Sequence, residues 1–150
     1  MIAKWNEMRN FIGWYLREKA FGRYIISQEE EFADAKRPDL RFHGEGFDGP
    51  IPVELKLADK KWTGPKLFER LENQLCGDYL RDTRSNRGIF LLVYAGEHNT
   101  KHWTLPSSNQ RVDFAELIAA LQEHWMRISP KFSDIDDITV IGIDLTKRSC

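Results

Sequence analysis

At 150 residues, 41% hydrophobic and 30% charged, the chain has the composition of one globular domain with a real core, and this excludes disorder and fibrous repeats. No apolar run approaches the ~20 residues of a membrane helix and the first residues lack a signal-peptide pattern, so no membrane association and a cytoplasmic protein are expected. The net charge of −1 counts against a binder that relies on bulk positive charge, but the cations between Lys36 and Arg87 crowd into one stretch, so the charge is neutral evidence on nucleic-acid binding.

In chain order, residues 4–20 read as an amphipathic helix, with Trp5, Met8, Ile12, Tyr15 and Leu16 at helical spacing. Phe11 and Trp14 widen its apolar face. Ordinary packing accounts for that. So does a helix that leans on an upstream domain, which would make the chain a piece of something larger; a homo-oligomer is open as well. Gly22 then breaks the pattern, residues 23–27 suit a short strand, and residues 28–34 are acidic.

Asp39, Leu40, Arg41 and Phe42 alternate in polarity, and so do Val53, Glu54, Leu55, Lys56 and Leu57. Period-2 alternation predicts half-buried strands. The glycine-rich stretch His43–Pro50 lets the two pair as a hairpin. Residues two apart share a strand face, so Glu54 and Lys56 point one way and Val53, Leu55 and Leu57 the other. A neighbouring strand can bring Asp39 beside them. Lying on a polar face, Asp39 and Lys56 are expected to tolerate substitution without unfolding.

Residues 64–82 predict a helix with Pro65 in its first turn and Leu67, Phe68, Leu71, Leu75 and Tyr79 on one face. At about 100° per residue, Arg70, Gln74 and Arg81 line the edge of that face. Residues 82–88 form a polar loop, and Gly88–Tyr94 is continuously apolar, as in a strand covered on both faces. Residues 95–112 read as loop, with His98 and His102 as surface histidines that lack a third ligand. Asp113 with Glu116 forms a capping-box start for a helix striped by Phe114, Leu117, Ile118, Leu121, Trp125 and Ile128. Ser129-Pro130 stops it, and residues 138–145 make a final strand. Cys76 and Cys150 form no metal-like cluster and read as reduced thiols. The order helix, strands, helix, strand, helix, strand predicts one α/β domain over residues 1–150, a mixed sheet with helices on its faces.

Pro38-Asp39, a spacer and then Glu54-Leu55-Lys56 resemble the PD-(D/E)xK signature of the restriction-endonuclease-like nuclease superfamily. The match spans residues 28–95 and includes a downstream helix bearing Gln74 and an apolar strand. The resemblance implies a restriction-endonuclease-like fold and metal-dependent hydrolysis of phosphodiester bonds. The nucleic-acid partner is DNA rather than RNA by family habit, and the role that of an effector domain in a defence, repair or toxin protein. It implies Mg²⁺, with Mn²⁺ as substitute, held by Asp39, Glu54 and the backbone carbonyl of Leu55. Lys56 would orient the water or offset charge on the phosphate, and Gln74 would position water or a phosphate. One of Glu29, Glu30 or Glu31 could add a carboxylate, as relatives often have one ahead of the signature Asp. Some members carry Gln and then Tyr on this helix, but Gln74 and Tyr79 do not match that spacing, which leaves Tyr79 to the core. Two other readings stand beside this one. One is a catalytically degenerate module that binds nucleic acid or a protein partner. The other is a salt-bridged sheet surface in an unrelated protein.

Overall fold

The computed structural model describes residue 7 and residues 9–14, 25–28, 40–43, 51–58, 63–79, 86–96 and 101–146. Residues 9–14 form a short helix, α1, and the alternating stretches form strands. β1 (Ile25–Gln28), β2 (Leu40–His43) and β3 (Ile51–Leu57) make an antiparallel meander, in which Leu40 pairs with Val53 and Phe42 with Ile51. β4 (Arg87–Tyr94) lies parallel to β3, and the last long strand, β7 (Asp137–Asp144), lies parallel to β4. The result is a mixed five-stranded sheet in the order β1-β2-β3-β4-β7. Parallel neighbours need a crossover, and each crossover here contains a helix.

The first crossover carries α2 (Gly64–Glu69), whose start is capped by Thr63, with Pro65 in the first turn. The second carries α3 (Phe114–Ile128). Asp113 accepts from the Glu116 backbone N–H while Glu116 accepts from that of Asp113, which satisfies two orphan amides of α3. Its Leu117 and Leu121 are fully buried, with Trp125 and Ile128 nearly so. Gly142 of β7 lets α3 approach, since a Cβ there would fall 2.6 Å from the Ile118 side chain.

Register partners in a sheet share a face, and this sorts the core into two layers. Phe90 pairs with Val140, and Phe90 and Leu92 pack with Leu67, Leu71, Leu75, Leu117 and Leu121 of the helices. The opposite face gathers Leu40, Val53, Leu55, Leu57, Leu91 and Val93 with Ile12, from a helical stretch over residues 9–14. β7 has no strand on its outer side among the described residues. There the Gln122 amide donates to the Ile138 carbonyl at 2.8 Å and accepts from the Val140 N–H at 2.9 Å. One side chain thus stands in for a peptide partner along an edge that would otherwise invite pairing.

Several expectations need correction. The stretch 95–112 is not all loop: β5 (Trp103–Thr104) pairs antiparallel with β6 (Arg111–Val112). Two-residue strands are too short to show a period, and tertiary contacts hold them. Trp103 is 3% exposed and donates its indole N–H to the Ala58 carbonyl at 3.0 Å. The helix expected over 64–82 is α-helical only to Glu69, after which Arg70–Tyr79 is a π-helix. Phe11 and Trp14 are 55% and 56% exposed, with their ring centroids 6.2 Å apart. Trp5, Met8, Tyr15 and Leu16 lie outside the described residues, as do Arg81, His98 and Cys150. His102 is exposed, and no helix among the described residues is long and apolar enough to cross a membrane.

Candidate functional site

The alternation of β3 decides which side chains meet. Glu54 pairs in register with Phe90 and Lys56 with Leu92, so both polar residues share the face covered by the helices. Val53, Leu55 and Leu57 turn to the other layer. Because β3 runs between β2 and β4 beneath the first crossover, Glu54 is only 1% exposed. The Lys56 ammonium reaches its carboxylate, with Nζ 2.5 Å from Oε1, and keeps 11% of its side chain in solvent. The ammonium offsets the charge of a carboxylate held out of water, and removing it is costly because that buried charge remains.

Gln74 is buried too, at 8% exposure. Its neighbours Leu71 and Leu75 are fully buried and pack with Phe90 and Leu92, the register partners of Glu54 and Lys56. The helical segment that bears Gln74 therefore covers the strand pair that bears the acid and the lysine. The sequence places Gln74 and Arg70 on the edge of the helix's apolar face, with Gln74 reaching toward the acids; Gln74 is buried, and Arg70 is half-buried at the start of the π turn. Edge placement at about 100° per residue holds for α geometry; i→i+5 bonding widens each turn and rotates later residues away from their α positions.

Asp39 and the three candidate acids Glu29, Glu30 and Glu31 lie outside the described residues, and so does the side chain of Tyr79. Among the described residues no group of three or more His, Cys, Asp or Glu could hold a metal ion. The Leu55 carbonyl belongs to the β3 backbone between the two motif residues, while its side chain fills the opposite layer.

Two groups nearby belong to structure. Burial pushes the Cys76 thiol up to about 12, with the Glu72 charge adding to the effect, so it stays protonated at neutral pH and is no nucleophile. Glu72 lies 3.4 Å from His124 Nε2 and 3.5 Å from Lys131 Nζ, tying the π segment to α3 and the turn after it. Sequence reasoning also missed Trp103 and the ribbon around it. The available signal was a lone tryptophan inside a polar stretch, where a large apolar ring has to find a buried place.

The chain matches no protein-family model, no curated protein and no solved structure. The fold and the pairing of Glu54 with Lys56 therefore stand on the geometry alone.

Proposed function

We propose that the protein is a Mg²⁺-dependent nuclease with a restriction-endonuclease-like fold, hydrolysing phosphodiester bonds of nucleic acid, with DNA as the favoured substrate. The observation that carries this reading is the buried Glu54 carboxylate in contact with the Lys56 ammonium, beneath the helical segment that bears Gln74. A carboxylate in the interior is expensive, and an enzyme gives that expense a use.

The donor set suits a hard cation that prefers oxygen: the Glu54 carboxylate, the Leu55 carbonyl and, in this proposal, Asp39. Mg²⁺, or Mn²⁺ in its place, would supply Lewis acidity and a more acidic bound water when present. The chain's own groups do the rest. Asp39 and Glu54 supply negative charge and oxygen ligands. Lys56, oriented by its contact with Glu54, directs the water and offsets the charge that gathers on the phosphate oxygens. Gln74 positions the water or a non-bridging oxygen through its amide.

The same ion pair favours a second reading. Lys56 already balances the charge of Glu54, so a degenerate nuclease-fold module that binds nucleic acid or a protein is consistent with it. Incubating the protein with DNA and RNA side by side, with Mg²⁺ or Mn²⁺ and then with a chelator, separates the two. The nuclease reading expects cleavage that chelation stops, and RNA as the better substrate would change only the substrate. Binding that ignores metal, with neither polymer cut, would leave the module.

A further inference from the structure

We propose that the β5–β6 ribbon is a nucleic-acid clamp that grips the sugar-phosphate backbone of the substrate beside the candidate site. This inference rests on the nuclease reading for its partner and on the ribbon's own chemistry for its place. Residues 101–112 carry Lys101, His102 and Arg111 and no carboxylate at all, in a chain with 23 Asp and Glu. Lys101, His102, Thr104 and Arg111 are exposed, and so is the tip Ser107, Ser108, Asn109 and Gln110. Cations that neutralise phosphates, interleaved with hydroxyls and amides that can bond phosphate oxygens, make up the usual backbone-contacting set. A two-stranded ribbon is also an element that nucleic-acid grooves accept.

The ribbon is fixed at its base and located by that fixing. Trp103 donates to the carbonyl of Ala58, two residues beyond Lys56 at the end of β3, so the cations sit on an arm anchored to the strand that carries Glu54 and Lys56. The Trp103 ring stands edge-on to Tyr94 at 5.3 Å and packs against Phe114 at 5.8 Å. Thr104 lies directly over Gly64, where a Cβ would fall 1.9 Å from its carbonyl oxygen, so the ribbon rests on the first turn of α2 with no room for a side chain between them. At the far end the Leu105 N–H donates to the Gln110 carbonyl at 2.9 Å, and Asn109, at φ 56°, supplies the left-handed residue that closes the turn. With its base held this way, the ribbon spends less on ordering its backbone when it binds, leaving mainly the rotamer cost of its exposed cations.

The test uses the full chain and the double variant Lys101→Ala/Arg111→Ala, with thermal melts to show that both fold. Binding to a short fluorescent duplex DNA is followed by anisotropy across a salt series in chelator, where nothing is cut. Hydrolysis of bis(p-nitrophenyl) phosphate in Mn²⁺ is measured in parallel, since that small diester needs the site and no arm. The clamp predicts that the double variant binds DNA more weakly, with a log–log salt slope shallower by about 2, the loss of two phosphate contacts. Small-diester hydrolysis should be unchanged. An unaltered slope and affinity would overturn the clamp while leaving the nuclease reading intact. A weakened slope in a protein that does not hydrolyse the small diester and cuts no DNA when Mn²⁺ is added would keep the clamp and remove the nuclease. A wild type that neither binds nor hydrolyses removes both. Arg111→Lys should retain the wild-type slope, and its failure to do so would argue against a charge-based role.

Discussion

Over the Phe90–Leu92 face of the sheet, two neighbouring helices solve the same covering problem differently. α3 keeps α geometry for 15 residues, opens on a capping box and turns an unbroken apolar stripe to the sheet. The helix beside it leaves α geometry after Glu69 and in its π segment buries a glutamine and a thiol among its leucines. A π turn gives up good hydrogen-bond geometry and recurs where function demands an odd placement of side chains. The regular helix reads as scaffold. In the proposed function, the irregular one is the wall of the site.

Substitutions can break or sharpen that contrast. The largest effect is expected at the ion pair beneath the π segment. Lys56→Ala leaves a carboxylate that is 1% exposed without its ammonium, which costs about 3–5 kcal/mol. The sequence leads one to expect that such a change does not unfold the domain; Glu54 and Lys56 lie under a helix rather than on an open polar face, so a measurable loss of stability is expected all the same. Chemical denaturation of the two proteins measures it. Next comes the scaffold helix: Leu121→Ala should cost about 2–5 kcal/mol and lower the melting temperature, with the chemistry unaffected below the new melt.

Gln122→Ala removes the amide that closes the outer edge of β7 and should cost about 1–2 kcal/mol, with increased self-association at high concentration as the readout of an opened edge. Gln74→Leu is the discriminating change in the π segment. Its stability should fall by no more than about 1–3 kcal/mol, while cleavage slows about a hundredfold. If cleavage and stability moved only in proportion, Gln74 would be one more packing residue and the contrast between the helices would lose its functional side.

The smallest effect concerns pH. With its thiol raised to about 12, Cys76 favours the folded state fully below the ordinary thiol value of about 8.5 and loses that contribution as pH climbs toward the folded value. A thiol reagent at pH 8 should leave Cys76 unmodified in the native protein and label it once the chain is unfolded.

How much of this could be read beforehand depends on whether a local pattern carried it. The alternation of Val53 to Leu57 gave the correct faces, the continuous run before Tyr94 gave a strand covered on both sides, and Asp113 with Glu116 gave the start of α3. Depth was not legible. Alternation says that Glu54 and Lys56 point the same way, but only the crossover helix above them makes that direction inward. The π segment was hidden as well, since Arg70–Tyr79 has an ordinary helical composition and nothing local in it announces a wider turn. Trp103 and Val112 escaped because their strands are held by the core rather than by their own sequence.

The central claim is that Glu54 and Lys56 divide metal binding from chemistry, and Asp39 gives the cleanest contrast. Mn²⁺ titration and DNA cleavage should be measured on wild type, Lys56→Ala and Asp39→Ala, each held well below its own melting temperature. The account predicts that Lys56→Ala binds Mn²⁺ nearly as well as wild type and does not cut, whereas Asp39→Ala does neither. Cleavage at the wild-type rate in both variants would contradict it.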